Sequence, residues 1–407
     1  MKYKTLLFIT FIAGSSLSFA QQASKTYAIT GKPANNFFWA DIKQVDITTG
    51  KVVKTLFESE QTNFKMADAN KATGAAGATE TKRPTGLGVA ACAFDSRHER
   101  LYFATMHFAD IRYLDLSRQE PNFTTVKRNV IANTSKAGYQ PEENQITRMV
   151  IGADGYGYAL SNDASHFIRF STAKNAVVED LGGLVDAESN KGISIHNKCT
   201  SWGGDMVADA FGKLVIISAS HNVFSVDVSS KMAKLTGTIT GLPANFTTNG
   251  AAVNDEGNLV VSSANVFEGL YTVNIKTLAA TKIQSKDAAF NASDLANGNL
   301  LSQKEANDMV RFNFTKPVMV AADAKIYPNP VTGSRFNVLF AGQPTGKYTI
   351  LLTDITGRIL QSRVVSIYKP NQVEAVNLRS KAARGMYFVK VLSENEELAF
   401  SERVVVQ

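Results

Sequence analysis

The sequence predicts an all-β protein, a five-bladed β-propeller followed by a small Ig-like β-sandwich. Three observations carry that reading. A strand–turn–strand unit recurs through the middle of the chain, two half-units flank the repeats, and the chain changes character near Lys325.

The repeats align on short Asp/Gly turns. "AACAFDSRHERLYFAT" from Ala90, "RMVIGADGYGYALS" from Arg148, "DMVADAFGKLVIIS" from Asp205 and "AAVNDEGNLVVSS" from Ala251 each read as an apolar strand, a tight turn and a second apolar strand. Asp95, Asp154, Asp209 and Asp255 mark the turns, at intervals of roughly 45–60 residues, within reach of propeller blades. Their expected role is structural, because Asp and Gly accept the backbone angles and local hydrogen bonds of a hairpin. A third strand follows each pair ("IRYLDL", "FIRFST", "VFSVDV", "LYTVNI"), then a more polar fourth, as in "KMAKLTGTI".

Asp41–Phe57 carries only a third and fourth strand, and Phe290–Ser302 reads as a first and second. Joined, they complete a fifth unit and close a ring without an open edge. The propeller is therefore expected over 25–315, with a linker at 316–324. The loose "D-x-x-G-x-L" turns resemble secreted propellers of the NHL and gluconolactonase-like sort, which leaves the propeller's own family unassigned and transfers no activity. Of two long connectors, Ser59–Gly88 is poor in large apolar residues and is expected to be loosely ordered. Asp180–Ser201 is either a functional loop or a solvated excursion.

Lys2 and Lys4 precede an apolar run, Leu6–Ile12, and a small-residue stretch ends at Ser18-Phe19-Ala20. That pattern is a signal peptide over 1–20, its apolar run too short to anchor in a bilayer. No later stretch reads as a transmembrane segment. The 407 residues are 44% hydrophobic and 19% charged, enough apolar matter for large cores. A net charge of +7 is spread widely, without the basic cluster and interleaved aromatics of a nucleic-acid site. Two cysteines, Cys92 and Cys199, exclude a disulfide framework and a cysteine-based zinc site.

The C-terminal stretch, 325–407, reads as short alternating strands entered through "KIYPNPVTG". In "GKYTILLTDITGRIL", Tyr348, Ile350 and Leu352 share one face and Thr356-Gly357 supplies a turn. The order of "YPNP", "GKYTILLTDITGR", "NL", "RGMYFVKV" and the terminal "VVVQ" resembles the type A C-terminal sorting domain of the type IX secretion system of Bacteroidetes. The matching positions are Tyr327, Pro328, Asn329, Pro330, Gly346, Tyr348, Asp354, Gly357, Arg358, Gly385 and Tyr387. The resemblance implies export by the signal peptide, folding in the periplasm and passage through an outer-membrane translocon. It also implies partners, namely the translocon, a shuttle and a sortase, and a final location on the cell surface or in the medium.

What the propeller does is less legible. Arg148, Trp202, Asn249 and Asp294 fall at first-strand starts, which line the channel, and either bind a glycan or peptide or fill the channel and bond to one another. Asp294 and Asp205 are the inner-strand acids available for glycosidase-type chemistry, Asp205 facing either the axis or away from it. His107, His166 and His221 recur between second and third strands, with His196 in the long connector and His98 in an opposite-face turn. Blade loops fan apart, so no metal and no cofactor is expected. The chain carries no HExxH, GxSxG or phosphate-binding glycine loop. The sequence thus favours a non-catalytic surface module for glycan or protein. The alternative is an extracellular glycan-active hydrolase or lyase.

Overall fold

The computed structural model describes residues 24–31, 38–69, 83–132, 139–173, 176–308, 325–354, 359–378, 384–394 and 398–407. The stretch 1–20 expected as a signal peptide, the stretch 316–324 expected as a linker, and Gly357 and Arg358 lie outside the described residues. No described helix is long and apolar enough to cross a membrane.

Among the described residues the molecule is all-β and built from many small sheets. Five of these precede residue 309. Sheet I orders Ala292–Asn297, Thr26–Gly31, Trp39–Asp46 and Lys51–Phe57. Sheet II runs Val89–Asp95, Arg100–Thr105, Ile111–Asp115 and Asn122–Lys127. Sheet III runs Ile146–Ile151, Gly157–Ser161, Phe167–Phe170 and Val178–Asp180. Sheet IV runs Asp205–Ala208, Lys213–Ile217, Asn222–Asp227 and Met232–Thr238. Sheet V runs Gly250–Val253, Leu259–Ser262, Tyr271–Asn274 and Ala279–Lys282. Among the described residues no sheet closes on itself. Their first strands instead lie against one another in a cycle, from I to II, III, IV, V and back to I.

These inner strands are largely buried and carry small apolar residues such as Ala91 and Ala93, Ala208, and Ala251 and Ala252, with Met149 and Met206 among them. Small side chains let neighbouring sheets approach closely where the ring is tightest. Larger residues, such as Phe57, Phe103 and Phe123, fill the wider wedge further out.

Sheet I differs from expectation in one strand. Thr26–Gly31 stands between Ala292–Asn297 and Trp39–Asp46, antiparallel to both. The second strand therefore comes from the N-terminal side, and 290–302 contributes only one strand to the sheet. The TYAITG stretch is fully buried, as a strand covered on both faces must be. Its short length and lack of alternation hide it in the sequence.

Within Ser59–Gly88 the structure describes 59–69 and 83–88, the rest of the connector lying outside the described residues. Lys65–Asp68 pairs parallel to Asn122–Lys127 as a fifth strand of sheet II. Phe64 anchors it, edge-on to Phe57 at 5.9 Å and to Phe123 at 6.1 Å. Val185–Asp186, in the other long connector, pairs parallel with Met232–Thr238 in the same manner.

The turn residues do structural work. Asp95, Asp154 and Asp209 accept from the backbone N–H two residues on, at 3.0, 3.1 and 3.0 Å. In sheet V that task belongs to Asn254, which accepts from Glu256 at 3.1 Å, whereas Asp255 accepts from the Ser24 N–H at 3.2 Å.

Residues 325–407 form two facing sheets. One orders Lys325–Tyr327, Arg335–Leu339 and Val373–Asn377, and the other Ile359–Ile367, Gly346–Asp354, Gly385–Ser393 and Leu398–Val406. Tyr348, Ile350 and Leu352 meet Phe336, Val338 and Val376 across a common core.

Candidate binding face, buried acid cluster and sorting segment

The four residues expected at first-strand starts occupy two levels. Arg148 is fully buried and donates to four backbone carbonyls: Nε to Gly203 at 2.9 Å, Nη1 to Ser161 at 3.3 Å, and Nη2 to Asn162 at 3.3 Å and Ser201 at 2.6 Å. It ties the start of sheet III to the loop that enters sheet IV. Burial draws its pKa down to about 10, which still leaves it charged at neutral pH.

Trp202 is half-buried on that same loop. Its Nε1–H donates to the His196 carbonyl at 2.9 Å, and the Lys198 ammonium lies 4.9 Å from the ring centroid. Lys198 also pairs with Glu142 at 2.5 Å, joining the loops ahead of sheets III and IV. Gly203 and Gly204 follow, both at positive φ. A Cβ on Gly204 would lie 1.9 Å from the Ile217 carbonyl oxygen, so only glycine permits this entry. Asn249 stands on the next loop, its Oδ1 accepting from Thr247 Oγ1 at 2.5 Å and from the Ala264 N–H at 3.0 Å. Ala219 bridges the two loops, donating to Trp202 O and accepting from the Thr248 N–H.

Asp294 lies deeper, fully buried, beside Asp205. The Cys92 thiol donates to Asp294 Oδ1 at 2.9 Å. Asp205 accepts from the Met206 N–H at 2.7 Å and the Ala251 N–H at 2.6 Å. The cluster thus links the inner strands of sheets I, II, IV and V. Burial, and for Asp294 also the charge of Asp205, holds both carboxyls well above the usual carboxylate range. Two adjacent buried carboxyls cannot both ionise cheaply. Asp294 Oδ2 meets no fixed donor, and a proton held by the pair removes the charge it would otherwise carry unpaired. Burial, reinforced by Asp294, likewise pushes the Cys92 thiol up, so it stays protonated and unreactive. Cys92 was legible only as one small residue in an apolar strand, and nothing in its spacing signals a carboxylate partner.

The histidines find separate partners. His107 lies 3.2 Å from Gln145 Nε2, His166 2.6 Å from Asp180, and His98 2.6 Å from Asp95. His196 faces the carbonyls of Asp163 and Leu184, and His221 that of Phe246. Among the described residues no three His, Cys, Asp or Glu side chains converge as a metal site. Cys92 and Cys199 are free thiols.

The sorting residues build a covered edge. Tyr327 ends the first strand of the sandwich. Between Pro328 and Pro330, Asn329 Nδ2 donates to the Arg403 carbonyl at 2.6 Å and Oδ1 accepts from the Val405 N–H at 3.1 Å. Val331 then continues the pairing, donating to Val405 O at 2.7 Å and accepting from the Gln407 N–H at 2.9 Å. Tyr348 packs on Phe340 with its ring centroid 5.2 Å away and donates to the Pro344 carbonyl at 2.9 Å. Asp354 stands opposite Tyr387 in register, and Gly385 opposite Val406.

Comparison with known proteins agrees with this segment. Residues 325–407 match the secretion system C-terminal sorting domain family. Residues 215–364 match a repeat of unknown function, a span that begins in the second strand of sheet IV and ends within Ile359–Ile367 of the sandwich. No curated protein matches the sequence. Among solved structures, the chain is similar to PorZ, a bacterial surface component of the type IX secretion system of Porphyromonas gingivalis, at 14% identity and a TM-score of 0.33, covering 94% of this chain and 51% of that one. The chain thus spans about half the length of that protein. It is also similar to a chain of a nidogen–laminin complex, at 11% identity and a TM-score of 0.38, covering 69% of this chain and 99% of that one. A structural-genomics protein of unknown function from Bacteroides thetaiotaomicron shows 11% identity and a TM-score of 0.37, covering 68% of this chain and 71% of that one. Residues 325–407 are a C-terminal sorting domain of the type IX secretion system, and the protein is exported through that system to the cell surface or the medium.

Proposed function

We propose that 25–315 is a five-bladed β-propeller, carried to the cell exterior by an Ig-like sorting sandwich at 325–407, and that it acts there as a non-catalytic binding module for glycan or protein. The cycle of inner-strand contacts and the four-stranded order repeated in sheets I to V support the blade count. The route begins with the signal peptide at 1–20, and the sorting domain meets translocon, shuttle and sortase in turn.

The observation that carries the non-catalytic reading is the state of Asp205 and Asp294. A glycosidase needs two carboxyls about 5–10 Å apart that both reach the substrate. Here the inner-strand acids are fully buried and committed to backbone amides and a thiol. The binding face falls instead to Trp202, on a loop that Arg148 holds, and Asn249, on a loop linked to it through Ala219. A half-exposed indole beside an amide suits a sugar ring, which stacks its C–H face on the aromatic surface.

Glycan-array and pull-down screens on the full chain test this, with Trp202→Ala as the variant expected to lose the ligand. Turnover of a polysaccharide that disappears in Asp294→Asn while the fold persists would move the hydrolase reading into first place.

A further inference from the structure

We propose that Asn329 is the positioning residue of the sorting signal, holding the C-terminal strand Leu398–Val406 in the register that the secretion machinery receives. Leu398–Val406 is the last strand of its sheet, paired on one side with Gly385–Ser393. Its other side would present unpaired backbone groups, an edge open to pairing with any extended chain. The Tyr-Pro-Asn-Pro-Val segment covers that side. Pro328 and Pro330 have no N–H and cannot make a backbone ladder. Between them the Asn329 carboxamide, with one donor and one acceptor, takes the place of a peptide group, meeting Arg403 O at 2.6 Å and Val405 N at 3.1 Å. Val331 resumes true backbone pairing with Val405 and Gln407, and its side chain is fully buried in the sandwich core. Glu402 adds a tie from the same strand, accepting from the Ile326 N–H at 2.7 Å.

Entrance and exit of the domain are thereby one unit. The segment that begins the sandwich fixes the strand that ends it, and Asn329 is the only residue of the four-residue motif whose side chain bonds to that strand among the described contacts. Asn329 acts on export through the strand, not by touching the machinery.

The test uses the full chain in its native host, with export measured beside hydrogen exchange of peptides 398–407 and 346–354. Removing two hydrogen bonds of ordinary strength in Asn329→Ala should speed exchange of the terminal peptide roughly tenfold or more, leave the 346–354 peptide protected, and reduce export at least as much. Val376→Ala is the control: it removes volume from the sandwich core on the opposite sheet, and it should export normally with the terminal peptide still protected. The proposal is overturned if Asn329→Ala exports at the wild-type level with its terminal strand released, if that strand keeps its protection, or if Val376→Ala loses export equally. Should Asn329→Ala unprotect 346–354 as well, Asn329→Asp is read in its place. It keeps the acceptor for Val405 and loses the donor to Arg403, and wild-type export with a released strand overturns the proposal there too.

Discussion

Cys92 Sγ donates to Asp294 Oδ1 at 2.9 Å, joining the inner strand of sheet II to the strand that brings the far end of the repeats back to sheet I. The bond sits in a fully buried acid pair, and that burial has a pH signature. Both Asp205 and Asp294 have folded-state pKa values raised by desolvation. The folded protein therefore holds protons that the unfolded chain has released above its carboxylate pKa of about 4. Their contribution to stability is full below that value and is lost as pH rises toward the folded-state values. The melting temperature of the wild type should fall as pH rises from about 4 through neutrality. Asp294→Asn, which keeps an acceptor for Cys92 and removes one ionisation, should give a flatter profile and be the more stable protein at pH 8, by about 1–2 kcal/mol. Parallel profiles would refute the shared-proton account.

Arg148 should behave as a brace. Arg148→Met leaves the carbonyls of Asn162, Ser201 and Gly203 without their Arg148 donor, while Ser161 O keeps the Ala164 N–H at 3.0 Å. A loss of about 3–5 kcal/mol is expected in urea unfolding, since each buried carbonyl left unsatisfied costs about 1–3 kcal/mol. Arg148→Lys should recover little of it, since a single ammonium cannot span the fork. A loss under 1 kcal/mol would show that water satisfies the carbonyls.

Closure of sheet I depends on Ala292–Asn297 pairing with Thr26–Gly31. A chain ending at residue 308 should melt cooperatively. One ending at 285 lacks that strand, exposes the Ile29 and Ala28 backbone, and should lose most of its stability by circular dichroism. Equal melting of the two would refute closure through this pair.

Deleting 325–407 should abolish export while leaving the repeats folded in the periplasm. Wild-type amounts of the shortened chain in the medium, measured against a periplasmic marker, would contradict the assignment of the address to this segment.

The sequence by itself determined the features that are local. The turn aspartates Asp95, Asp154 and Asp209 are readable because an Asx turn needs only residues two apart. The sorting domain is readable for a similar reason: its turns and its alternation of Tyr348, Ile350 and Leu352 are short-range patterns in a fixed order. Tertiary structure decided what depends on partners distant in the chain. Thr26–Gly31 becomes a strand because Ala292–Asn297 and Trp39–Asp46 bury both its faces, a fact absent from its six residues. Lys65–Asp68 is fixed by Phe64 reaching Phe57 and Phe123. Asp294, in the sequence a channel-lining acid that either binds a ligand or bonds to its neighbours, is withdrawn into a pair with Asp205 and Cys92 because three inner strands converge and bury it fully. Periodicity specifies which face of a strand is apolar. Which polar group meets which at the centre of a ring follows only from how far each strand is carried around it.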